Sequence, residues 1–467
     1  MAKSNNLTDL LTDVANAIRA KKGTTAKINP QDFSSEIASI STGGGGGGGG
    51  GTVSAASKND VNFYDYDGTL LHSYTKDAFL ALSALPDLPT REGLICQEWN
   101  YTLADAKEYV TSYGVLDIGA TYITDDGKTR LYIKIAAEGR MKVPIFFSQT
   151  VANGVTIDWG DGSATETLSG TGTRNTNHTY AAIGDYVITL NVTSGTLGLG
   201  RNSSAYCIMG VIGNTGIAYC KMLQKIEIGS GVTSINNYAF QSCGSLSSVA
   251  IPSGVTSIGN YAFKECFSLS SVVIPRNVTS FGTYTFQNCY SLVSAVIPSG
   301  VTSINDYAFA NCSSLSSVVI PINVKNIGSY AFNECFSLSS VVIPRGDTSI
   351  ATYAFRYCYS LTLLVTPNSV KSIGNNAFQS CSSLVSVVML SGVTSIGNYA
   401  FQSCMGMAYY DFRESTAVPT LSNTNAFSGI PSDCKIIVPD VLYDTWTTAT
   451  NWSTYASYII KASELNG

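Results

Sequence analysis

A 23-residue period constrains this chain more than any other feature. Cys220, Cys243, Cys266, Cys289, Cys312, Cys335, Cys358, Cys381 and Cys404 fall at that spacing, as do Phe240, Phe263, Phe286, Phe309, Phe332, Phe355, Phe378 and Phe401. Each unit reads like Tyr261-Ala-Phe-Lys-Glu-Cys-Phe-Ser-Leu269-Ser-Ser-Val272-Val-Ile274-Pro275, so a Leu-x-x-Val-x-Ile pattern turns alternate residues of a short strand inward. A unit this small cannot bury its apolar face alone. Stacked copies can, and the period therefore predicts a solenoid over 197–420 that needs a cap at its open end. The degenerate segment 421–467, with Trp446 and Trp452, reads as the C-terminal cap. A longer period lies on top: Glu265 to Arg276 recurs letter for letter at Glu334 to Arg345, an offset of 69 residues or three repeats.

Comparing the repeats with one another separates inside from outside. The Phe, Cys, Leu, Val and Ile columns barely vary and must face inward, whereas the two positions after Phe and the one after Cys change freely. The variable columns hold Lys264, Glu265, Phe267, Gln287, Tyr290, Phe336, Arg356, Tyr357 and Tyr359. From these, Lys264, Phe267, Tyr290, Phe336, Arg356 and Tyr359 are the candidate receptor-binding residues. Aromatics on a rigid scaffold suit recognition of a glycan or protein, or else bridge neighbouring coils. The strand face carries a Ser column (Ser248, Ser271, Ser294, Ser317, Ser340) beside a Val column (Val273, Val296, Val319, Val342), too uniform to encode much specificity. No Cys-x-x-Cys occurs, so the cysteine column is expected to be buried, reduced thiols rather than a zinc or disulfide framework.

Composition narrows the function. With Lys+Arg 27, Asp+Glu 32 and a net charge of −5 over 467 residues, nothing is basic enough to bind nucleic acid. Two histidines, His72 and His178, leave imidazole-based catalysis and zinc sites little to work with. No enzyme activity, cofactor or metal site is expected. The start, Met1 to Leu7, lacks the apolar run of a secretory signal, and no stretch reaches the roughly 20 apolar residues of a membrane span. The expectation is a protein made in the cytoplasm and not inserted in a membrane.

Ahead of the repeats the chain is modular. Within 1–42, Leu7, Leu10, Leu11, Val14, Ala17 and Ile18 share a helical face, and Phe33, Ile37 and Ile40 give a second short stripe after Asn29-Pro30. Two such helices bury too little alone, so 1–42 is expected to be a helical anchor that oligomerises or docks on a partner. Nine glycines, Gly43 to Gly51, open a linker over 43–59. Residues 60–139 read as a small α+β domain: Asp67-Gly68 and Asp125-Asp126-Gly127 turns, a helix near 76–84, and a helix over 102–113 with a Thr102/Asp105 capping box and a Gly114 stop. Residues 140–196 alternate strands with Gly/Asp turns, which argues a β-sandwich.

Three resemblances sharpen this reading. Trp159-Gly-Asp-Gly-Ser163, His178-Thr-Tyr180 and Gly184-x-Tyr-x-Ile-x-Leu-x-Val192 resemble the PKD domain, an immunoglobulin-like module of surface and fibre proteins. The Ala-Phe-x-x-Cys-x-x-Leu-x-x-Val-x-Ile-Pro unit resembles the BspA-like leucine-rich repeats of bacterial surface proteins and phages. The run from Asn6 to Thr24 with Lys27-Ile-Asn-Pro-Gln-Asp-Phe33 looks like an N-terminal segment recurring in tail and accessory structural proteins of phages of gut bacteria. Together they imply a multidomain, mainly β protein: a leucine-rich-repeat solenoid preceded by a PKD/immunoglobulin-like β-sandwich, a small α+β domain and an N-terminal helical anchor.

One motif points elsewhere. Asp65-Tyr-Asp67-Gly-Thr69 resembles the Asp-x-Asp-Gly-Thr loop of haloacid dehalogenase-type phosphatases, in which the first Asp is the nucleophile, and Asp125-Asp126 could pass for magnesium-binding carboxylates. Such an enzyme needs several βαβ units, and only about 60 residues separate the two carboxylate sites, so a plain Asp-Gly hairpin is the expectation. Asp158, Asp161 and Asp185 suggest calcium, but Gly160-Asp-Gly162 is ordinary turn chemistry. The resulting expectation is a phage virion protein of the tail-fibre or receptor-binding kind. Its partners would be a host cell-surface glycan or protein through the repeats, other virion proteins through 1–42, and further copies of itself. The alternative is a bacterial cell-surface adhesin, and the remote one is the phosphatase.

Overall fold

The computed structural model describes residues 60–201, 206–211, 220–346 and 349–466; the anchor and linker read from 1–59 lie outside them. The described part is mainly β, with a solenoid of roughly 23-residue coils at its centre. In-register parallel pairing joins Ser271–Val273, Ser294–Val296, Ser317–Val318 and Ser340–Val341, each offset from the last by one period. Because the side-chain period is 2, one residue of slip would turn the Val and Ile columns outward, and this locks the register. Phe263, Phe286, Phe309 and Phe332 stack inside at 5.2 to 5.4 Å, with Cys, Leu, Val and Ile filling the remaining core.

The two ends are closed differently. At the N-terminal end, β5 (Thr129–Ile135), β7 (Val155–Asp158), β8 (Glu166–Thr167) and β10 (Gly184–Val192) form one sheet, while β6 (Lys142–Gln149), β9 (Gly172–Thr179) and β11 (Leu197–Leu199) form another. The solenoid strand Leu223–Glu227 pairs with β5, and Val232–Ile235 pairs with β11. Both sheets thus run into the first coil, and one hydrophobic core is continuous from Leu131 to Ile459. The first coil therefore presents no open edge. At the other end the strand column does not stop near residue 420. Lys435–Val438 and Ile459–Lys461 extend it, because Phe427 and Cys434 continue the inward columns at a longer spacing. Trp446 and Trp452 then pack edge-on against Phe412 and close the last apolar face.

The α+β unit is built from β1 (Val61–Tyr64), β2 (Leu70–Tyr74), α1 (Lys76–Leu80), β3 (Leu94–Trp99), α2 (Leu103–Tyr113) and β4 (Leu116–Thr124), in sheet order β2-β1-β4-β3. Thr102 caps α2 by accepting from the Asp105 N–H at 3.2 Å, and Gly114 ends it in the left-handed region at φ 85°. The chain turns at Asp125 to Gly127, but β5 does not belong with the residues before it as expected. Leu131, Ile133 and Ile135 belong to the long core, so β5 leaves β4 and joins the sheet beyond.

Cys220 departs from its column. It is disulfide-bonded to Cys207 where the two-sheet unit meets the first coil, whereas Cys243 to Cys404 are free and buried. The pairing was invisible in the period because Cys207, itself buried, sits outside the repeat.

Candidate recognition site

The strand face is occupied from Ala250 to Val319 and is open again at Val365, which is 39% exposed. Ala250, Val273 and Val296 point away from the solenoid core yet are only 2 to 5% exposed, because the α+β unit lies across them. Gly119 in β4 makes this approach possible: a Cβ there would stand 2.5 Å from the Val273 methyls.

The proline column explains where the unit docks. In a parallel ladder the Ile274 N–H donates to Val296 O at 3.0 Å, and the residue facing back should donate to Ile274 O. That residue is Pro298, which has no N–H. The same loss recurs at Ile297 through Pro321 and at Ile320 through Pro344. A buried carbonyl without a partner is costly, and three side chains of the α+β unit fill the vacancies in successive coils. Asn100 Nδ2 donates to Ile274 O at 3.1 Å, Tyr101 OH to Ile297 O at 2.9 Å, and Tyr109 OH to Ile320 O at 3.0 Å. Where the proline is replaced by Leu390, its N–H makes the missing ladder bond to Thr366 O at 3.3 Å. At the rim, Ser271 Oγ donates to Tyr66 O, Ser299 Oγ to the Asp105 carboxylate, and Arg276 pairs with Glu98 at 2.8 Å.

The column after Cys is what remains open. Between Lys221 and Lys435 at its two ends it reads Gly244, Phe267, Tyr290, Ser313, Phe336, Tyr359, Ser382, Met405, a stretch without charge. Phe267 and Tyr290 stack at 5.4 Å and 5° between planes; Phe336 and Tyr359 stack at 5.2 Å and 19°. Their rings are 37 to 46% exposed, so each pair bridges two coils and still presents surface to solvent. Val293, 47% exposed, lies three residues beyond Tyr290.

Lys264 and Arg356 sit differently from the aromatics. Both are half-buried; Arg356 reaches the next coil, whereas Lys264 stays within its own. Lys264 Nζ lies 5.6 Å from the Tyr261 ring centre and 3.6 Å from Glu265. Arg356 Nε donates to Gln379 Oε1 at 2.7 Å, and its guanidinium stacks 4.2 Å from the centre of the Tyr357 ring. Tyr357 is 5.8 Å from Tyr359, which connects Arg356 to the second aromatic pair. Lys264 has no such link to Phe267.

A second aromatic column escaped the sequence reading. Tyr238, Tyr261, Tyr284, Tyr307, Tyr330 and Tyr353 stack at 4.4 to 4.7 Å along the solenoid. All six have φ near +60°, unusual for a bulky residue. Their 23-residue spacing was the available signal. Asn376, the type that tolerates this backbone best, takes the next place in the column.

The remaining motifs are satisfied internally. Asp65 is buried and accepts from Arg91 Nε at 2.6 Å, which consumes the carboxylate that a phosphatase would use as nucleophile. Asp126 pairs with Arg130, and among the described residues no three His, Cys, Asp or Glu side chains converge as metal ligands do. Asp161 accepts from the Ser163 N–H at 3.1 Å and sits 2.6 Å from His178, which stacks on buried Trp159. Among the described residues no helix is long and apolar enough to cross a membrane.

Residues 210–339 and 302–432 match the family model of the BspA type leucine-rich repeat region, in six copies. Among solved structures, a leucine-rich repeat protein from Bacteroides ovatus is 21% identical, covering 54% of this chain and 88% of its own, with a TM-score of 0.32. A leucine-rich cell surface protein from Faecalibacterium prausnitzii is 26% identical over 51% of this chain and 76% of its own, with a TM-score of 0.29. The Treponema pallidum leucine-rich repeat protein is 24% identical over 48% and 87%, with a TM-score of 0.26. No curated protein matches the chain.

Proposed function

We propose that this chain, whose residues 210–432 are BspA-type leucine-rich repeats, is an adhesin-like attachment protein that works by binding and not by catalysis. The observation that carries this reading is the uncharged stretch from Gly244 to Met405 of the column after Cys, where two stacked aromatic pairs stay exposed. Stacking and neutral hydrogen bonds then dominate recognition of a host cell-surface glycan or protein. Support for the absence of catalysis is the Asp65–Arg91 pair.

The finer reading is a tail fibre or receptor-binding protein of a phage virion, joined to other virion proteins and to further copies of itself through residues 1–42. It rests on the likeness of Asn6 to Phe33 to phage structural segments and on the glycine tether that follows. The PKD-like reading of 140–196 adds a spacer between anchor and repeats. Labelled protein added to bacterial cells tests attachment: saturable binding supports it, and no binding to any cell type of the source community refutes it. Immunogold labelling separates the carriers, since virion tails label under the phage reading and bacterial cells under the adhesin reading. Removing residues 1–51 should leave a folded monomer.

A further inference from the structure

The two aromatic pairs do not touch one another. Ser313 stands between them, and its Oγ turns back to donate to Tyr290 O at 3.3 Å. The ring planes of Tyr290 and Phe336 therefore face each other across one missing aromatic. Two coil spacings set the gap at roughly 10 Å between planes. The outer face of the first pair is different, because Phe267 lies over Gly244, whose added Cβ would meet the ring at 3.1 Å. Of the faces these pairs present, those of Tyr290 and Phe336 are the two aimed at a common space.

The width discriminates between guests. A flat aromatic ring in contact with both walls needs only about 7 to 8 Å between planes. A saturated six-membered ring is thicker, since axial C–H bonds project from both its faces. Those C–H bonds carry partial positive charge and meet the negative face of each aromatic ring. No charged side chain lies in this column from Gly244 to Met405, so a neutral guest fits better than an ionic one.

We propose that Tyr290, Ser313 and Phe336 form a slot that clamps one neutral pyranose ring of a surface glycan between two aromatic faces. The proposal rests on the attachment reading and deepens it by naming the ligand class and the site. Tyr359, Ser382 and Met405 repeat the arrangement three coils on with one aromatic wall, a weaker half-slot that adds avidity along a glycan chain.

Ser313→Phe tests the slot, because a ring at 313 would complete the stack while leaving the core columns untouched. Full-length protein is titrated with neutral hexaoses of glucose, mannose and galactose, by saturation-transfer NMR and calorimetry, beside the cell-binding assay. The expected result is binding of at least one hexaose, weakened at least tenfold by Ser313→Phe with an unchanged or higher Tm, and retained by Ser313→Gly. Should Ser313→Phe unfold the domain, Tyr290→Ser removes one wall and must give the same loss. Equal hexaose binding by wild type and the folded slot variants overturns the slot. Cell binding without binding of any hexaose overturns the glycan assignment and leaves attachment standing. Slot-dependent hexaose binding without cell binding does the reverse.

Discussion

From Cys266 to Cys404 each cysteine of the inward column donates its thiol to a phenylalanine carbonyl of the coil before, as Cys266 does to Phe240 O and Cys289 to Phe263 O, both at 3.2 Å. That carbonyl also accepts the backbone N–H of the Cys in its own coil, so Val or Ala in this place would remove the second of its two hydrogen bonds, which gives a reason for Cys beyond its size. Burial pushes the Cys289 thiol up to about 12, and so it stays protonated and remains a donor. Native protein is therefore expected to resist alkylation at pH 8 along the whole column. Denatured without reductant, it should take up ten labels, matching its ten free cysteines, and reductant should release Cys207 and Cys220 as two more. Intact mass reads both counts, and twelve labels before reduction would contradict the bond. Asp161 supplies a second residue-scale test. Its hydrogen bonds to Ser163, and then to His178, hold its carboxyl down at about 2. A carboxylate with a lowered folded-state value stabilises fully above its unfolded value, near pH 4, and the gain disappears as pH falls toward 2. Asp161→Asn should flatten the dependence of Tm on pH across that window and change little at pH 7.

For the elements, the docked α+β unit is the test case. Its β4 strand can approach the solenoid only where the chain has Gly119, and its helix α2 brings Tyr109 to Ile320 O. Tyr101→Phe with Tyr109→Phe keeps both rings but strips two buried carbonyls of their donors, at a cost of about 1 to 3 kcal/mol each. The double variant should expose the Val273 and Val296 face to hydrogen exchange while the solenoid core stays protected. Gly119→Val should do the same more severely through steric clash with Val273. Unchanged protection in both variants would mean that the rim contacts, such as Arg276 with Glu98, carry the docking. Helix α2 was legible in the sequence down to its Thr102 cap and Gly114 stop, since capping is a local matter. The partners of β5 were not, because an alternating strand does not encode which sheet will take it.

At the scale of the whole molecule, a stack of coils closed by the two-sheet unit at one end and by Trp446 and Trp452 at the other shares a single hydrophobic core. Replacing Phe267, Tyr290, Phe336 and Tyr359 together by Ser should abolish cell attachment, while losing only the two stacks, about 0.5 to 1.5 kcal/mol each. Attachment by the wild type should change little between 0.05 and 0.5 M salt, on the order of twofold, because the column from Gly244 to Met405, which holds both aromatic pairs, carries no charge to screen. A steep salt dependence would move recognition to the Lys264 and Arg356 columns. The sequence by itself determined the coil, its register and its inward columns, because a strict period forces each residue to meet its own counterpart in the next coil. It also placed the exposed aromatics, since relaxed columns are those that packing does not restrain. Only the tertiary structure decided that the Val face is covered, that Cys220 pairs with Cys207, and that the sheets of the preceding unit close the first coil. These are contacts between residues up to 232 positions apart, with no shared period to announce them. The covering of the Val face follows from where prolines leave carbonyls unpaired and where a glycine lets another backbone come close.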